Sequence, residues 1–390
     1  MKALSYLLFL GILISPSLFA QDAKVEKKEL INLLKEKEYT KAATQLEKHL
    51  KVYRDLKNLD SLASYTYYVG KVKFHLSKAA TAIEITEKFI IDLKNSGASD
   101  RNLFTANMGF VHLLDELGRT KMSYDITEKV LDYAIKMPDN TKEEIGYVYY
   151  NLGASALSLG DFNLAKMHFR KTLQNYETYE KTSGKKLADA YNAMGAVMWL
   201  STKLDSAQFY YKLSVDAIHQ SQTDSISKYF LSAITLSNVA LIQQGQGKTA
   251  AAMKTLQTTL HNYQMVIKHS KEEGQMDKAK RYQWYAMSNL AVFYNDIGDF
   301  SMANTLLEYV LESQSAELQP DDIQLTKTQI KIAQSLLSMQ KYKEAKPIFS
   351  HALEILNTAS GEENYWIAIS LFGLAETEEA LGNITTSKAY

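Results

Sequence analysis

The 390-residue chain contains no cysteine. This excludes disulfides, zinc–thiolate centres, catalytic thiols and a lipid-bearing N-terminal cysteine. Proline is scarce, with four in the whole chain. Pro16 sits near the N-terminus, and Pro138 and Pro320 fall between periodic segments. No strand-like alternating run stands out, so the pattern is that of an all-α protein. An excess of either charge is also missing, since 44 Lys and Arg balance 44 Asp and Glu. Such a balance argues against a nucleic-acid-binding face. The basic cluster Lys278–Arg281 is short and flanked by acids, and reads as solvated helix surface.

Residues 1–20 stand apart from the rest. Met1-Lys2 gives a positive start, Ala3 to Ile14 is apolar, and Ser15-Pro16-Ser17 breaks the run before Leu18-Phe19-Ala20. That order predicts a secretory signal cleaved before Gln21, although Leu18 stands where a small residue is usual. Without the leader, 43 basic and 44 acidic residues remain. A cysteine-free exported chain suits a bacterial periplasm or cell surface.

What the sequence has in abundance is repetition. Two small residues recur twelve apart at Gly70/Ala82, Val111/Ser123, Gly153/Ala165, Gly195/Ala207, Ala240/Ala252, Ala291/Ala303, Ala333/Ala345 and Ala375/Ser387, after a weaker opening pair, Leu30/Ala42. A fixed inner spacing with an outer step near 42 residues marks a repeat array. The unit around Gly153 shows the grammar. Leu152, Ala156 and Leu159 share one helical face. Gly160-Asp161 then ends that helix and caps the next, on which Phe162, Ala165, Phe169 and Leu173 face inward. Gly153 and Ala165 belong where the two helices cross, because small side chains permit close axial approach. The turn recurs as Leu117-Gly118, Gln246-Gly247, Ile297-Gly298-Asp299-Phe300 and Leu381-Gly382-Asn383-Ile384, with Thr202 and Gln340 standing in for glycine.

The Asn-Leu-Gly or Asn-Leu-Ala of the first helix, the Gly-Asp-aromatic turn and the alanine three residues later resemble the tetratricopeptide repeat (TPR) family. The resemblance covers residues 24–390. It implies a right-handed superhelical solenoid of antiparallel helix hairpins, about nine over residues 21–390, with the last incomplete. The period exceeds the roughly 34 residues of a minimal repeat, and in this it is similar to the long-helix repeats of kinesin light chains and of several exported bacterial families. Pro347 fits that subgroup, where proline early in the second helix is common; such a proline is tolerated only near the first turn.

A search for chemistry finds little. Gly245-Gln246-Gly247-Lys248-Thr249 looks like the end of a phosphate-binding loop, but Ile242 stands where the loop needs its first glycine. Gly247 is also in register with Gly160 and Gly298, which makes it a hairpin turn. The eight histidines show no HExxH and no ligand spacing. Glu376, Glu378 and Glu379 read as a solvent-facing acidic patch. No catalytic constellation, metal site or cofactor motif is visible, and the chain reads as a non-catalytic binding scaffold.

In repeat arrays of this family the first helices line the concave face, and ligand contacts come from there. The resemblance therefore points to a protein or peptide partner on that face. Asn151, Asn238 and Asn289 each stand two residues before the small residue of a first helix. An amide there both donates to and accepts from an extended backbone. Lys327 and Lys331, one turn apart, follow in the repeat after Asn289. They partly resemble the carboxylate clamp of some family members, but Ser237 and Leu241 do not supply its remaining pair. Tyr150, Trp199, Tyr285 and Phe372 are the candidate aromatic anchors, equally explained as inter-repeat packing.

The pair Ala375/Ser387 begins a hairpin that Tyr390 cuts short. On this ground the chain is also readable as the N-terminal sensory array of a longer protein. Long-period exported arrays of this kind resemble the sensory halves of two bacterial families, and that resemblance implies an effector beyond Tyr390: a caspase-like CHAT peptidase, or a transmembrane helix followed by a histidine kinase or a DNA-binding regulator, with membrane contact only through that segment.

Overall fold

A left-handed backbone closes almost every repeat turn. Gly118, Gly160, Gly247, Gly298 and Gly382 have φ between 66° and 83°, and Lys37, Thr202 and Gln340 take the same position at 61°, 60° and 58°. Each stands seven residues after the small residue of its first helix. The turn at Gly160 is typical: Asp161 N donates to Ala156 O at 3.0 Å, and the Asp161 carboxylate then accepts from Leu164 N at 2.9 Å. One residue thus ends the first helix, and the next starts the second. Gly247 closes its turn in the same way, with Lys248 N donating to Gln243 O at 2.8 Å. The Gly-Lys-Thr segment is therefore a hairpin turn.

The computed structural model describes residues 24–137, 141–179, 182–358 and 364–390. The leader, residues 1–20, lies outside them. The described residues form helices and no strand, and the chain divides into two compact units near residue 217.

In the N-terminal unit the order is α1 (Lys24–Lys35), α2 (Tyr39–Asp55), α3 (Leu59–Ser64), α4 (Thr66–Leu76), α5 (Ala79–Asn95), α6 (Asp100–Glu116), α7 (Thr120–Lys136), α8 (Lys142–Ser158), α9 (Phe162–Glu177), α10 (Gly184–Leu200) and α11 (Leu204–Gln220). The last three residues of α11 fall in the other unit. The C-terminal unit continues with α12 (Ser225–Gly245), α13 (Thr249–His269), α14 (Glu273–Asp296), α15 (Phe300–Ser315), α16 (Ile323–Ser338), α17 (Tyr342–Thr358), α18 (Asn364–Ala380) and α19 (Ile384–Ser387). Consecutive helices pack as antiparallel pairs, and each unit is a stack of such hairpins.

The small residues lie at the helix crossings, as their spacing predicts. From Leu30/Ala42 to Ala333/Ala345, both members of every pair are buried. A Cβ added to Gly153 would meet Phe169 Cε1 at 2.7 Å, and one added to Gly195 would meet Tyr211 Cδ1 at 2.7 Å. Ala375 is only half-buried, because α19 is a single turn.

Polar contacts tie several first helices to their neighbours. Arg101 of α6 reaches Glu144 of α8 at 2.7 Å, and Glu143 of α8 pairs with Lys186 of α10. Glu144 also completes a capping box with Thr141, so the same carboxylate starts α8 and holds it to α6.

Three local features differ from expectation. The first helix of the second repeat is split at Tyr65, whose buried hydroxyl lies 3.1 Å from His49 Nδ1. Pro347 sits in the second turn of α17 rather than the first; its ring is exposed, so the carbonyl left without a partner has access to water. Glu376 and Glu379 are exposed, but Glu378 is 2 % exposed. Its carboxylate accepts from Lys346 Nζ at 2.6 Å and from Asn383 Nδ2 at 2.7 Å, which holds its pKa below the ordinary range.

Candidate functional site

In the C-terminal unit, α12 and α14 lie side by side as neighbouring first helices. A small cavity of about 40 Å3 opens between them. Asn238 and Leu241 line it from α12, Tyr263 from α13, and Tyr282, Tyr285 and Asn289 from α14. The last three are three and four residues apart and so share a helical face. Tyr282 stacks on Phe230, with ring centroids 5.8 Å apart and planes at 10°. Tyr285 donates its hydroxyl hydrogen to Gln324 Oε1 of α16. Asn238 is 5 % exposed, and Asn289 is half-buried. Three sequence candidates, Asn238, Tyr285 and Asn289, thus converge on one cleft.

Lys327 and Lys331 continue this face on α16. Both are half-buried. Burial, aided by the Lys327 charge, brings the Lys331 ammonium down to about 8. Lys327 Nζ lies 5.9 Å from the ring centroid of Trp366 on α18. Phe372, also on α18, is 71 % exposed.

The other candidates belong to the N-terminal unit. Asn151 is 5 % exposed, and its amide donates to Tyr147 O of its own helix at 2.7 Å. The Tyr150 ring lies 5.6 Å from that of Phe169, and burial first, then the Asp189 charge, raises its phenol pKa. Trp199 is half-buried near the end of α10, where its carbonyl accepts from Thr202 N at 2.8 Å.

The structure adds residues that the sequence search passed over. Tyr147 lies beside His112 of α6, Oη to Nε2 at 3.3 Å. Burial holds that imidazole at about 4, so it is neutral at pH 7. Asp189 of α10 is half-buried, and burial lifts its carboxyl to about 7 against a weaker opposing pull from Lys185. The repeat register carries the signal that would have found it. Six residues before the small residue stand Tyr147, Asp189, Ile234, Tyr285 and Lys327. Two before it stand Asn151, Ala193, Asn238, Asn289 and Lys331. The two positions are one turn apart, so each first helix presents one such pair.

Models of the tetratricopeptide repeat match residues 147–178 and 324–390. Both stretches are tetratricopeptide repeats. Several solved structures share the fold of this repeat protein. The apo form of the quorum sensor NprR from B. thuringiensis is 17 % identical, with 95 % of this chain and 96 % of that one covered at a TM-score of 0.62. A Rap protein complexed with competence and sporulation factor is 12 % identical, with 94 % and 100 % covered at 0.52. NprR in complex with its cognate peptide NprX is 16 % identical, with 95 % and 96 % covered at 0.50. At these identities the likeness is one of fold. No curated protein matches the repeat protein in sequence.

Proposed function

We propose that this repeat protein is a non-catalytic scaffold that binds a peptide or an extended protein segment along its first-helix face. The observation that carries this reading is the convergence of Asn238, Tyr285 and Asn289 on the cleft between α12 and α14. Amides in such a cleft suit a peptide backbone, whose donors and acceptors alternate. The aromatic walls suit a side chain. Lys331 holds the asparagine position of the next repeat and suits a carboxylate. The NprR and Rap structures, which carry a peptide and a sporulation factor on a similar fold, support the same reading. In arrays of this family the first helices form the concave side, and we place the ligand there. The apolar leader at residues 1–20 supports export to a bacterial periplasm or cell surface.

The test is an affinity selection. A display library of random dodecapeptides is passed over the purified protein, and retained peptides are measured by titration calorimetry. The reading expects saturable one-to-one binding and cross-links to α12, α14 or α16. Failure to retain any peptide, or cross-links confined to second helices, would overturn it.

A further inference from the structure

In the N-terminal unit the second helix α9 turns a basic face outward. Lys166, Arg170 and Lys171 line a depression of about 340 Å3, together with Asn163, Met167 and Gln174. Successive three- and four-residue steps put all of these on one side of the helix. Arg170 and Lys171 are exposed, and Lys166 is half-buried. A second depression of about 340 Å3 adjoins the first, because Lys171 and Gln174 line both. Asn175 and Thr178 of α9 complete it with Lys142, Ile145 and Tyr149 of α8. The two form one groove, and no aspartate or glutamate lines either part.

Nothing neutralises these cations. Among the described residues no ion pair engages Lys142, Lys166, Arg170 or Lys171. Lys142 Nζ donates to an uncharged partner, Thr178 Oγ1, at 3.4 Å. The acids at the two ends of α9 are engaged elsewhere. Asp161 accepts from Leu164 N at 2.9 Å, and Glu177 accepts from Tyr191 Oη at 2.8 Å. Lys166 and Arg170 stand one turn apart, a spacing at which like charges destabilise a helix. Repulsion from Lys203, at the turn before α11, and then from Arg170 lowers the Lys166 ammonium pKa. A bound anion would relieve that repulsion.

We propose that the α8–α9 groove binds an acidic, extended segment of a partner protein, whose carboxylates are held by Lys166, Arg170 and Lys171. It is a second interaction surface and does not rest on the cleft between α12 and α14. From Asn163 to Thr178 the groove follows α9 for about 22 Å, the reach of roughly seven extended residues. The Arg170 guanidinium can meet a carboxylate with two parallel hydrogen bonds. The amides of Asn163 and Gln174 suit a peptide backbone, and Met167, Ile145 and Tyr149 offer apolar contact between the charges. A polyphosphate backbone would use the cations alone. The whole chain, with 44 basic and 44 acidic residues, has no general attraction for one.

The test uses two synthetic heptapeptide libraries, acetylated and amidated at their ends. Alternate positions are glutamate in one library and glutamine in the other, with the same random uncharged residues between them. Equal amounts are mixed with the full-length protein at about 150 mM salt, and retained peptides are counted by mass spectrometry. The proposal expects at least tenfold enrichment of glutamate peptides. It also expects the enrichment to vanish in Lys166→Gln/Arg170→Gln/Lys171→Gln and to persist in Lys166→Arg/Arg170→Lys/Lys171→Arg, which keeps the charge. Equal retention of the two libraries by the native protein, or retention of neither, overturns the proposal. Enrichment that survives in the glutamine variant belongs to another surface, Lys327 and Lys331 of α16 included, and also overturns it. The native protein is offered in parallel a single-stranded oligonucleotide and vesicles of phosphatidylglycerol with phosphatidylcholine. Tighter capture of either than of the glutamate library reassigns the groove and overturns the peptide assignment. Because the glutamine exchange in the libraries is made in the ligand, the first comparison does not depend on how any variant folds. None of these outcomes decides the asparagine cleft, which has its own test.

Discussion

The ring of Phe169 fills the space a side chain at Gly153 would need. A Cβ there would stand 2.7 Å from Phe169 Cε1 and 2.8 Å from Cδ1. Both residues lie in the interior, so the ring has little room to move. Gly153→Ala should therefore destabilise the protein by about 1–3 kcal/mol, although alanine is the better helix former. Gly274, in the first turn of α14, has nothing within 4 Å of a Cβ, and Gly274→Ala should gain about 0.5 kcal/mol. Urea midpoints of the two variants check the contrast; a stabilising Gly153→Ala would refute the packing described for the crossing.

Thr202 and Gln340 hold a left-handed conformation with a Cβ, at φ of 60° and 58°. That conformation costs roughly 1–2 kcal/mol for a non-glycine residue. Thr202→Gly and Gln340→Gly should each raise stability by about 1 kcal/mol, less the entropy of a freer unfolded chain. Gly160→Ala and Gly298→Ala should lower it by a similar amount. Thermal melts of the four variants suffice.

Asp189 should make stability depend on pH in a definite direction. Its folded carboxyl is raised by burial to about 7 from the ordinary 3.8, with Lys185 opposing. The folded state thus holds the proton more tightly. The stabilisation is complete below the unfolded value and is lost as pH climbs through about 7. Asp189→Asn should consequently be more stable than the native protein at pH 8, by about 2 kcal/mol, and nearly equal to it at pH 4. Tyr150 and Tyr176, whose phenols feel the Asp189 charge, stay neutral across this range because burial raises both. Denaturation curves at the two pH values decide the matter.

Lys331 should confer a different pH dependence on binding. Burial, with help from Lys327, sets its ammonium near 8, so its charge is present at pH 6.5 and mostly gone at pH 9. A peptide ending in two aspartates should bind several-fold more weakly at pH 9. Lys331→Gln should remove most of that difference, and calorimetry at both pH values reads it directly.

Much of this architecture was legible because packing at a crossing leaves a mark in the sequence. A glycine facing Phe169 or Tyr211 is forced by volume, and the twelve-residue partner follows from the length of the turn. The same register placed Thr202 and Gln340 at turns that lack glycine. Depth was not legible. Glu378 read as solvent-facing and Asn151 as a ligand contact on the first-helix face, yet each is nearly covered. Glu378 is held under cover by the lysine of α17 and by Asn383, partners that a helix pattern does not announce. Asp189 escaped notice because a single acid on a helix ordinarily faces water, whereas this one is half-buried. The break at Tyr65 left no glycine or proline to announce it.

The central claim is that ligand is held by the paired asparagines of the α12–α14 cleft. Its most direct test is the affinity of a selected peptide for the native protein and for the Asn238→Ala/Asn289→Ala variant, by calorimetry, with the melting curve of each as a check on folding. The account predicts at least a tenfold loss of affinity, about 1.4 kcal/mol or more, with the fold intact. Unchanged affinity in a folded variant would contradict it.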